Sequence, residues 1–319
     1  YRLDEKTDYS YPLLDWNPAG GILTFIVERK GEVYLYFYSV EDKDLNNMIL
    51  YNFEKVVDFS YTPDNRKLLM SAVQKGQSDI FIFNISSGSH EQITDDIFDD
   101  LQPKFVDRGR MLVFSSNRIS DTLPKPKAAF PELIPSNYDL FAFDYKTKSN
   151  VLRRLTNTRF ANERYPMEYG DGYFTYLSDE NGIFNRYLAQ FDSTIIAVDT
   201  SIHYRYFTTS KPISNYSRNV LHYDIDINNS QIVQVIYDDH KYNIFLDELP
   251  SAASLSGERL TNTAYMDQLS GSLSSKGQTI PVPQPRPPSA PQTQRFFNDY
   301  EGDTLIEQGQ DIDIDNYVF

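Results

Sequence analysis

One phrase returns along this chain at nearly constant spacing. Asp15-Trp16-Asn17-Pro18 is echoed by Ser60-Tyr61-Thr62-Pro63 and then by Lys104-Phe105-Val106-Asp107, so Trp16, Tyr61 and Phe105 stand 45 and 44 residues apart. Each anchor leads into an alternating apolar run: GILTFIVE from Gly21, KLLMSAV from Lys67, RMLVFSSNR from Arg110, YFTYLSDE from Tyr173 and QIVQVIYDD from Gln231. A turn then opens another such run, at Val33, Asp79, Asp139, Asn185 and Asn243. Three units close on Ile93-Thr94, Leu155-Thr156 and Leu260-Thr261.

Alternation with a period of two, bounded by Gly, Asn and Asp, is the pattern of half-buried antiparallel strands. Lys30-Gly31, Lys75-Gly76 and Asn181-Gly182 supply the positive φ angles that tight hairpins need. No window carries a sustained 3.6-residue stripe, so the chain is all-β. Several short strands in a unit of about 44 residues predict a propeller, because a lone blade cannot bury both of its faces. A β-sandwich would need neither equal spacing nor a repeated closing pair. The predicted blades are 9–53, 54–99, 100–161, 162–217 and 218–264, after a lead-in at 1–8. Propellers usually have six to eight blades, and a missing one is expected upstream of Tyr1, with Tyr1–Ser10 as its remnant or as a closing strand. A chain that opens on Tyr1 without a leader reads as a processed product or a piece of a longer protein.

Two units are lengthened, by Ser120–Tyr138 and by Ile195–Tyr216, and long loops on a rigid ring are common binding elements. Beyond Tyr265 the repeat stops. Residues 265–295 read as a Ser/Gly/Pro-rich linker, with six Pro between Thr279 and Gln294, which favours extended chain over a core. Residues 296–319 form an acidic tail.

The 40% hydrophobic and 14% aromatic content is ample for a core and favours strands. A net charge of −15 repels phosphate backbones, so nucleic acid is not an expected partner. No 18-residue apolar run is present to span a bilayer. Cysteine is absent, which removes disulfides, thiolate nucleophiles and Cys-zinc sites.

LVFSSNR (Leu112–Arg118), SDIFIFN (Ser78–Asn84), YDLFAFD (Tyr138–Asp144) and the closing RLTNT (Arg154–Thr158, Arg259–Thr263) resemble the WD40-like (PD40) repeats of TolB-type propellers. The Gly-His and Trp-Asp signatures of true WD40 units are missing. SAVQKGQSDIFIFNISSGSHEQIT and NVLRRLTNTRFANERYP look like the propeller region of large TolB-like cell-envelope proteins of Bacteroidota. The resemblance covers about residues 9–264. It implies a six-bladed ring, exported to the periplasm or the outer membrane and working as a scaffold through protein–protein contact. No TolB-type N-terminal αβ domain is visible, so that family's specific partners are not carried over.

The catalytic alternatives leave little trace. Peptidases of the prolyl-oligopeptidase type carry a similar ring, but their chemistry needs a Gly-x-Ser-x-Gly elbow that this chain lacks. Lyases on TolB-like rings hold an axial metal with several His. Of His90, His203, His222 and His240, only His222 lies on a first strand and so faces the channel, and one imidazole does not make a three-ligand site. Ser89-His90-Glu91 is a polar turn, because neighbours along a strand diverge while a triad must converge. Asp311, Asp313 and Asp315 space oxygens like the start of a calcium loop but lack its Gly and closing Glu. The pairs Asp95-Asp96, Asp99-Asp100 and Asp238-Asp239 leave a weak structural calcium site as the one cofactor expectation.

No catalytic residue or bound metal is therefore expected. The candidate partner contacts are Arg118, Asp179, Glu180 and Asn181 at the ends of second strands, against their reading as solvated turns. Tyr204, Tyr206 and Phe207 form a second candidate patch, against burial between blades. In the tail, Phe296, Phe297 and Phe319 are candidate docking anchors, against a plain linker. The expected function is a non-enzymatic interaction module of a larger envelope protein, and the alternative is the propeller domain of a peptidase or carbohydrate-active enzyme whose catalytic residues lie elsewhere.

Overall fold

A computed structural model describes residues 8–123, 135–198 and 202–275, with side chains throughout except at 194–206 and 272–275. The chain divides into units 1–281 and 282–319, and all described residues belong to the first. They form five antiparallel sheets. Blade one is β1 (Leu13–Trp16), β2 (Ile22–Arg29), β3 (Glu32–Ser39) and β4 (Leu45–Ile49). Blade two is β5 (Lys55–Tyr61), β6 (Lys67–Gln74), β7 (Gln77–Asn84) and β8 (His90–Gln92). Blade three is β9 (Asp100–Val106), β10 (Met111–Ser116), β11 (Asp139–Asp144) and β12 (Arg153–Arg154). Blade four is β13 (Glu163–Gly170), β14 (Tyr173–Ser178), β15 (Asn185–Val198) and β16 (Ile202–Pro212). Blade five has three strands, β17 (Val220–Asp226), β18 (Gln231–Asp238) and β19 (Lys241–Glu248). The first strands touch in succession, β1 to β5 to β9 to β13 to β17, so they line the axis of a propeller.

The hairpins follow from local chemistry. Lys30-Gly31 and Lys75-Gly76 hold φ angles of 55° and 77°, and of 56° and 76°, the paired left-handed conformation of a tight two-residue turn. The closing pairs repeat one hydrogen bond. Leu50, Ile93, Leu155 and Ile213 each donate their amide to a third-strand carbonyl, of Val33, Ile80, Leu140 and Arg186, at 2.8 Å in all four blades. The next residue adds a hydroxyl, which takes the amides of Ile80 (Thr94, 3.0 Å), Leu140 (Thr156, 2.8 Å) and Arg186 (Ser214, 2.8 Å). Ile213-Ser214 is thus the closing pair of blade four, and a serine does there what threonine does elsewhere.

Leu260-Thr261 does not close blade five. Leu260 packs on the core between blades three and four, and the Thr261 carbonyl accepts from Asn181 Nδ2 at 2.9 Å. The chain then enters α1 (Ala264–Ser275), so the segment predicted as a flexible linker from residue 265 starts as a helix. Gly182 is required at this contact, because a Cβ there would collide with Thr263 Oγ1. No helix among the described residues is long and apolar enough to cross a membrane.

Four apolar cores fill the seams between consecutive blades. Ile26, Val33 and Leu35 meet Phe59, Leu68, Met70 and Phe81 across the first. Leu69, Ile80 and Ile82 meet Leu112, Phe114 and Phe141 across the second. Met111, Val113 and Leu140 meet Phe174, Tyr176 and Tyr187 across the third, and Met167 and Leu177 meet Val220, Tyr223, Ile232 and Ile236 across the fourth. Each seam also carries a buried hydroxyl from a second strand. Thr24 Oγ1 lies 2.5 Å from Tyr61 Oη, and Ser71 donates to the Asp100 carbonyl at 2.7 Å. Ser115 donates to the Glu163 carbonyl at 2.5 Å, and Thr175 Oγ1 lies 3.0 Å from Tyr223 Oη.

Candidate functional site

The inner strands are rich in polar side chains, and His222, the histidine expected on a first strand, is among them. The inner strands carry Asp15 on β1, Asp58 on β5, Gln102 and Lys104 on β9, Tyr165 on β13, and His222 and Asp224 on β17. Four of these strands are bulged here: at Val57, at Gln102-Pro103, at Tyr165-Pro166 and at Leu221. A bulge turns the strand locally and re-aims its side chains. Gln102 and Tyr165 sit in the left-handed region at φ 54° and 51°, unusual for residues with a Cβ, and strain of this kind persists only where surroundings impose it. They are coupled: the Tyr165 amide donates to Gln102 Oε1 at 3.1 Å, and the Tyr165 carbonyl accepts from Tyr223 Oη at 2.8 Å.

The charged groups lie within electrostatic reach of one another. Burial raises the Asp58 pKa above the ordinary carboxylate value, while Lys104 and His222 oppose the rise. Asp15 is raised for the same reason, opposed by Lys104 and by the Tyr61 amide, which donates to it at 3.1 Å. His222 is crowded by protein on the axial side although water reaches it. Desolvation lowers its pKa, and Asp58 works against that. Its ring meets Tyr165 edge-on, with centroids 4.9 Å apart. Among the described residues, no direct ion pair or hydrogen bond joins Asp15, Asp58, Lys104, His222 and Asp224 to one another, and no three of their donor atoms converge as around a metal ion.

The predicted rim residues fare differently. Arg118 is 1% exposed and therefore no surface contact. Its guanidinium takes Asp100 at 2.6 and 2.7 Å and Asp96 at 3.2 Å, and it stacks near Phe98, Phe114 and Phe141. Burial works against its charge, but the two carboxylates outweigh this and hold its pKa above the usual value. Asn181 is also buried, and Asp179 is spent on the Asn162 amide and side chain. Glu180 remains exposed and accepts from Tyr187 Oη at 2.6 Å. Phe207 is exposed on the long β15–β16 hairpin, while the side chains of Tyr204 and Tyr206 lie outside the described ones, as do Phe296, Phe297 and Phe319.

Of the internal acid pairs, Asp96 and Asp100 are buried inside a seam, while Asp238 and Asp239 are exposed. Asp79, Asp96 and Asp100 are the one converging carboxylate group among the described residues, and Arg118 pairs with Asp96 and Asp100. Burial, then Asp100, pushes Asp79 up to about 7. The next seam repeats the theme: Asp139 pairs with Arg154, and burial with Asp139 beside it pushes Glu163 up to about 8.

A second feature lies beyond blade five, next to which the described residues form no further blade. β17 makes no contact with β1 comparable to those between the other first strands. The face of blade five turned away from blade four carries Val233 opposite Leu246, Val235 opposite Ile244 and Tyr237 opposite Tyr242. Tyr242, Ile244 and Leu246 are 73%, 72% and 64% exposed. Blade one, across the gap, shows Leu14 and Trp16 at 60% and 54%, beside the stacked Phe25–Tyr36 pair.

No family model matches the chain, and no curated protein matches it. Among solved structures it is similar to one described as TolB from Agrobacterium tumefaciens, at 16% identity and TM-score 0.55, covering 75% of this chain and 76% of that one. TolB from Acinetobacter baumannii aligns at 15% identity and TM-score 0.48, over 75% of this chain and 50% of that one. An oligogalacturonate lyase in complex with manganese aligns at 10% identity and TM-score 0.45, over 74% and 73%. What the first of these likenesses carries is the fold, a TolB-like β-propeller.

Proposed function

We propose that this chain is a non-enzymatic scaffold, the propeller of an exported cell-envelope protein of the periplasm or outer membrane, which docks a protein partner on the exposed apolar face of blade five. The single observation that supports it most is the unpartnered apolar face of blade five. A row of Tyr242, Ile244 and Leu246 exposed together is larger than the scattered apolar residues of an ordinary surface. Aromatic and aliphatic anchors of this kind carry most of the energy at protein interfaces. The net charge of −15 supports a protein partner over nucleic acid. The TolB name of the similar structure from Agrobacterium tumefaciens agrees with the TolB-type resemblance of the repeats, which implies the envelope setting.

The test places a photo-crosslinking residue at Ile244, with Lys75 on the β6–β7 hairpin as control, in envelope extracts of the source cells. One discrete adduct at Ile244, absent at Lys75 and lost when Leu246→Lys is added, is the expected result. Equal adducts at both positions, or hydrolysis of peptides or polysaccharides by the chain alone, would overturn the reading.

A further inference from the structure

Blade five differs from the others at its outer edge. Among the described residues it has three strands where each other blade has four, which leaves β19 as an edge strand. Such a strand presents a row of N–H and C=O groups without partners in its sheet. The third strands β7 and β11 are buried over most of their length, whereas every residue of β19 except Asn243 is exposed. On the face of β19 toward blade four lies a groove of about 340 Å³, lined by Tyr216, Gln234, Ile236, Asn243, Phe245 and Asp247. Gln234 is 4% exposed, and its Oε1 has no hydrogen-bond partner.

The other blades show what this edge is shaped to take. In blades two, three and four the third strand carries Asp79, Asp139 or Asn185, whose side chain accepts from the closing hydroxyl. Thr94 and Thr156 donate at 3.3 Å and Ser214 at 3.0 Å. The following residue, Ile80, Leu140 or Arg186, gives its amide to that hydroxyl. Its carbonyl accepts from the aliphatic residue before the hydroxyl. Asn243 and Ile244 hold these two places in blade five. Asn243 follows the Asp238–Lys241 end of its hairpin by two residues, as Asp79 follows the Gln74–Gln77 end. Ladder hydrogen bonds alternate between the two sides of a strand, so Ile244, like Ile80, turns its amide and carbonyl to the outer edge. Among the described residues no hydroxyl reaches them. Asn243 Oδ1 accepts no hydrogen bond, and Nδ2 makes only 3.4 Å contacts to the Asp238 and Lys241 carbonyls.

We infer that the β19 edge accepts an extended strand of a partner protein, antiparallel to β19 and held by an Ile or Leu followed by Thr or Ser. This rests on the reading that a protein docks on the apolar face of blade five, and it names the mode. The aliphatic residue's amide bonds the Ile244 carbonyl, and the hydroxyl sits between the Ile244 amide and Asn243 Oδ1. Main-chain pairing supplies affinity in such strand addition, and the side chains supply selectivity. Blade two sets the register, with Gln92, Glu91 and His90 opposite Phe81, Ile82 and Phe83. The residue two before the hydroxyl therefore faces Phe245 and the groove. The residue three before it is apolar beside Leu246, and the one four before it is basic opposite Asp247. Residues 1–7, 124–134, 199–201 and 276–319 contain no Ile or Leu followed by Thr or Ser, which points to a segment outside this sequence.

Fluorescence anisotropy of the labelled peptide Ser-Val-Lys-Val-Gln-Ile-Thr-Asn with the full chain tests this. Saturable binding is expected. Replacing the peptide's Thr by Val, or N-methylating its Ile, removes one hydrogen bond at Ile244 and is expected to weaken binding about tenfold. These changes lie in the peptide, so they read the contact whether or not a protein variant folds. Asn243→Ala is expected to weaken the Thr peptide and to leave the Val peptide unchanged. No saturation up to about 1 mM, or equal binding of all three peptides, would overturn strand addition. Self-association of the chain that the peptide fails to displace would overturn it in favour of a second copy. A discrete photo-adduct at Ile244 without peptide binding would overturn strand addition while leaving the docking reading in place.

Discussion

The seam between blades two and three and the gap between blades five and one are built from the same kinds of side chain and end up in opposite states. In the closed seam, Leu69, Ile80 and Ile82 press against Leu112, Phe114 and Phe141, and all are buried. A hydroxyl of Ser71 reaches the Asp100 carbonyl, and Arg118 joins Asp96 and Asp100 beside it. In the gap, Val233, Val235, Ile244 and Leu246 make an apolar face that no blade among the described residues covers, opposite Leu14 and Trp16. That face carries no hydroxyl corresponding to Ser71. The difference teaches that the apolar pattern makes blades competent to pack, whereas the buried polar contacts mark the seams where packing occurs.

Removing a polar contact at a closed seam should have the largest effect. Arg118→Ala leaves Asp96 and Asp100 buried without their partner and should cost about 3–5 kcal/mol in chemical denaturation. A loss below about 1 kcal/mol would show that water reaches this seam as it reaches the gap.

A smaller, pH-dependent effect is expected at the seam of blades three and four. Glu163 has an ordinary value of 4.5, raised to about 8 by burial and by Asp139. A carboxyl raised on folding stabilises while protonated, so its contribution is full below 4.5 and is lost as pH climbs through about 8. Glu163→Gln cannot ionise and should gain on the parent protein as pH rises from 5 to 9, by about 1.4 kcal/mol or more at the upper end. Melting curves across that range that run parallel would rule out a protonated Glu163.

The smallest effect belongs to the gap. Ile244→Ala should change stability by less than about 0.5 kcal/mol, because the side chain is already 72% exposed. A loss above about 2 kcal/mol, the scale of a core cavity, would mean that the gap is covered.

Much of the ring was legible in the sequence, because strand alternation and glycine turns are local. The third-strand starts at Asp139 and Asn185 and the closing pairs at Thr94 and Thr156 are read directly from the repeat, while the third strand of blade two starts at Gln77, two residues before the expected Asp79. Ser214 was missed because serine shares the hydroxyl of threonine but not its letter. Leu260-Thr261 misled because it copies the closing pair without a partner strand. At the axis, His222 was found from its place on a first strand. Asp15, Asp58, Lys104 and Asp224 also occupy first strands, but nothing in their spacing, more than 40 residues from blade to blade, says that they meet. Arg118 looked like a rim residue because charged residues seldom sit in a core without partners. Its partners, Asp96 and Asp100, were in view as acid pairs, unattached to it.

The sequence alone determined the all-β class, the length of the repeat and the alternation of each strand, since these depend on backbone sterics and on neighbours within a few residues. Only the tertiary structure decided which faces are covered, which charges share the axis and which acids are neutralised inside a seam. Those outcomes depend on distances between residues far apart in the chain, and burial and electrostatics act through space.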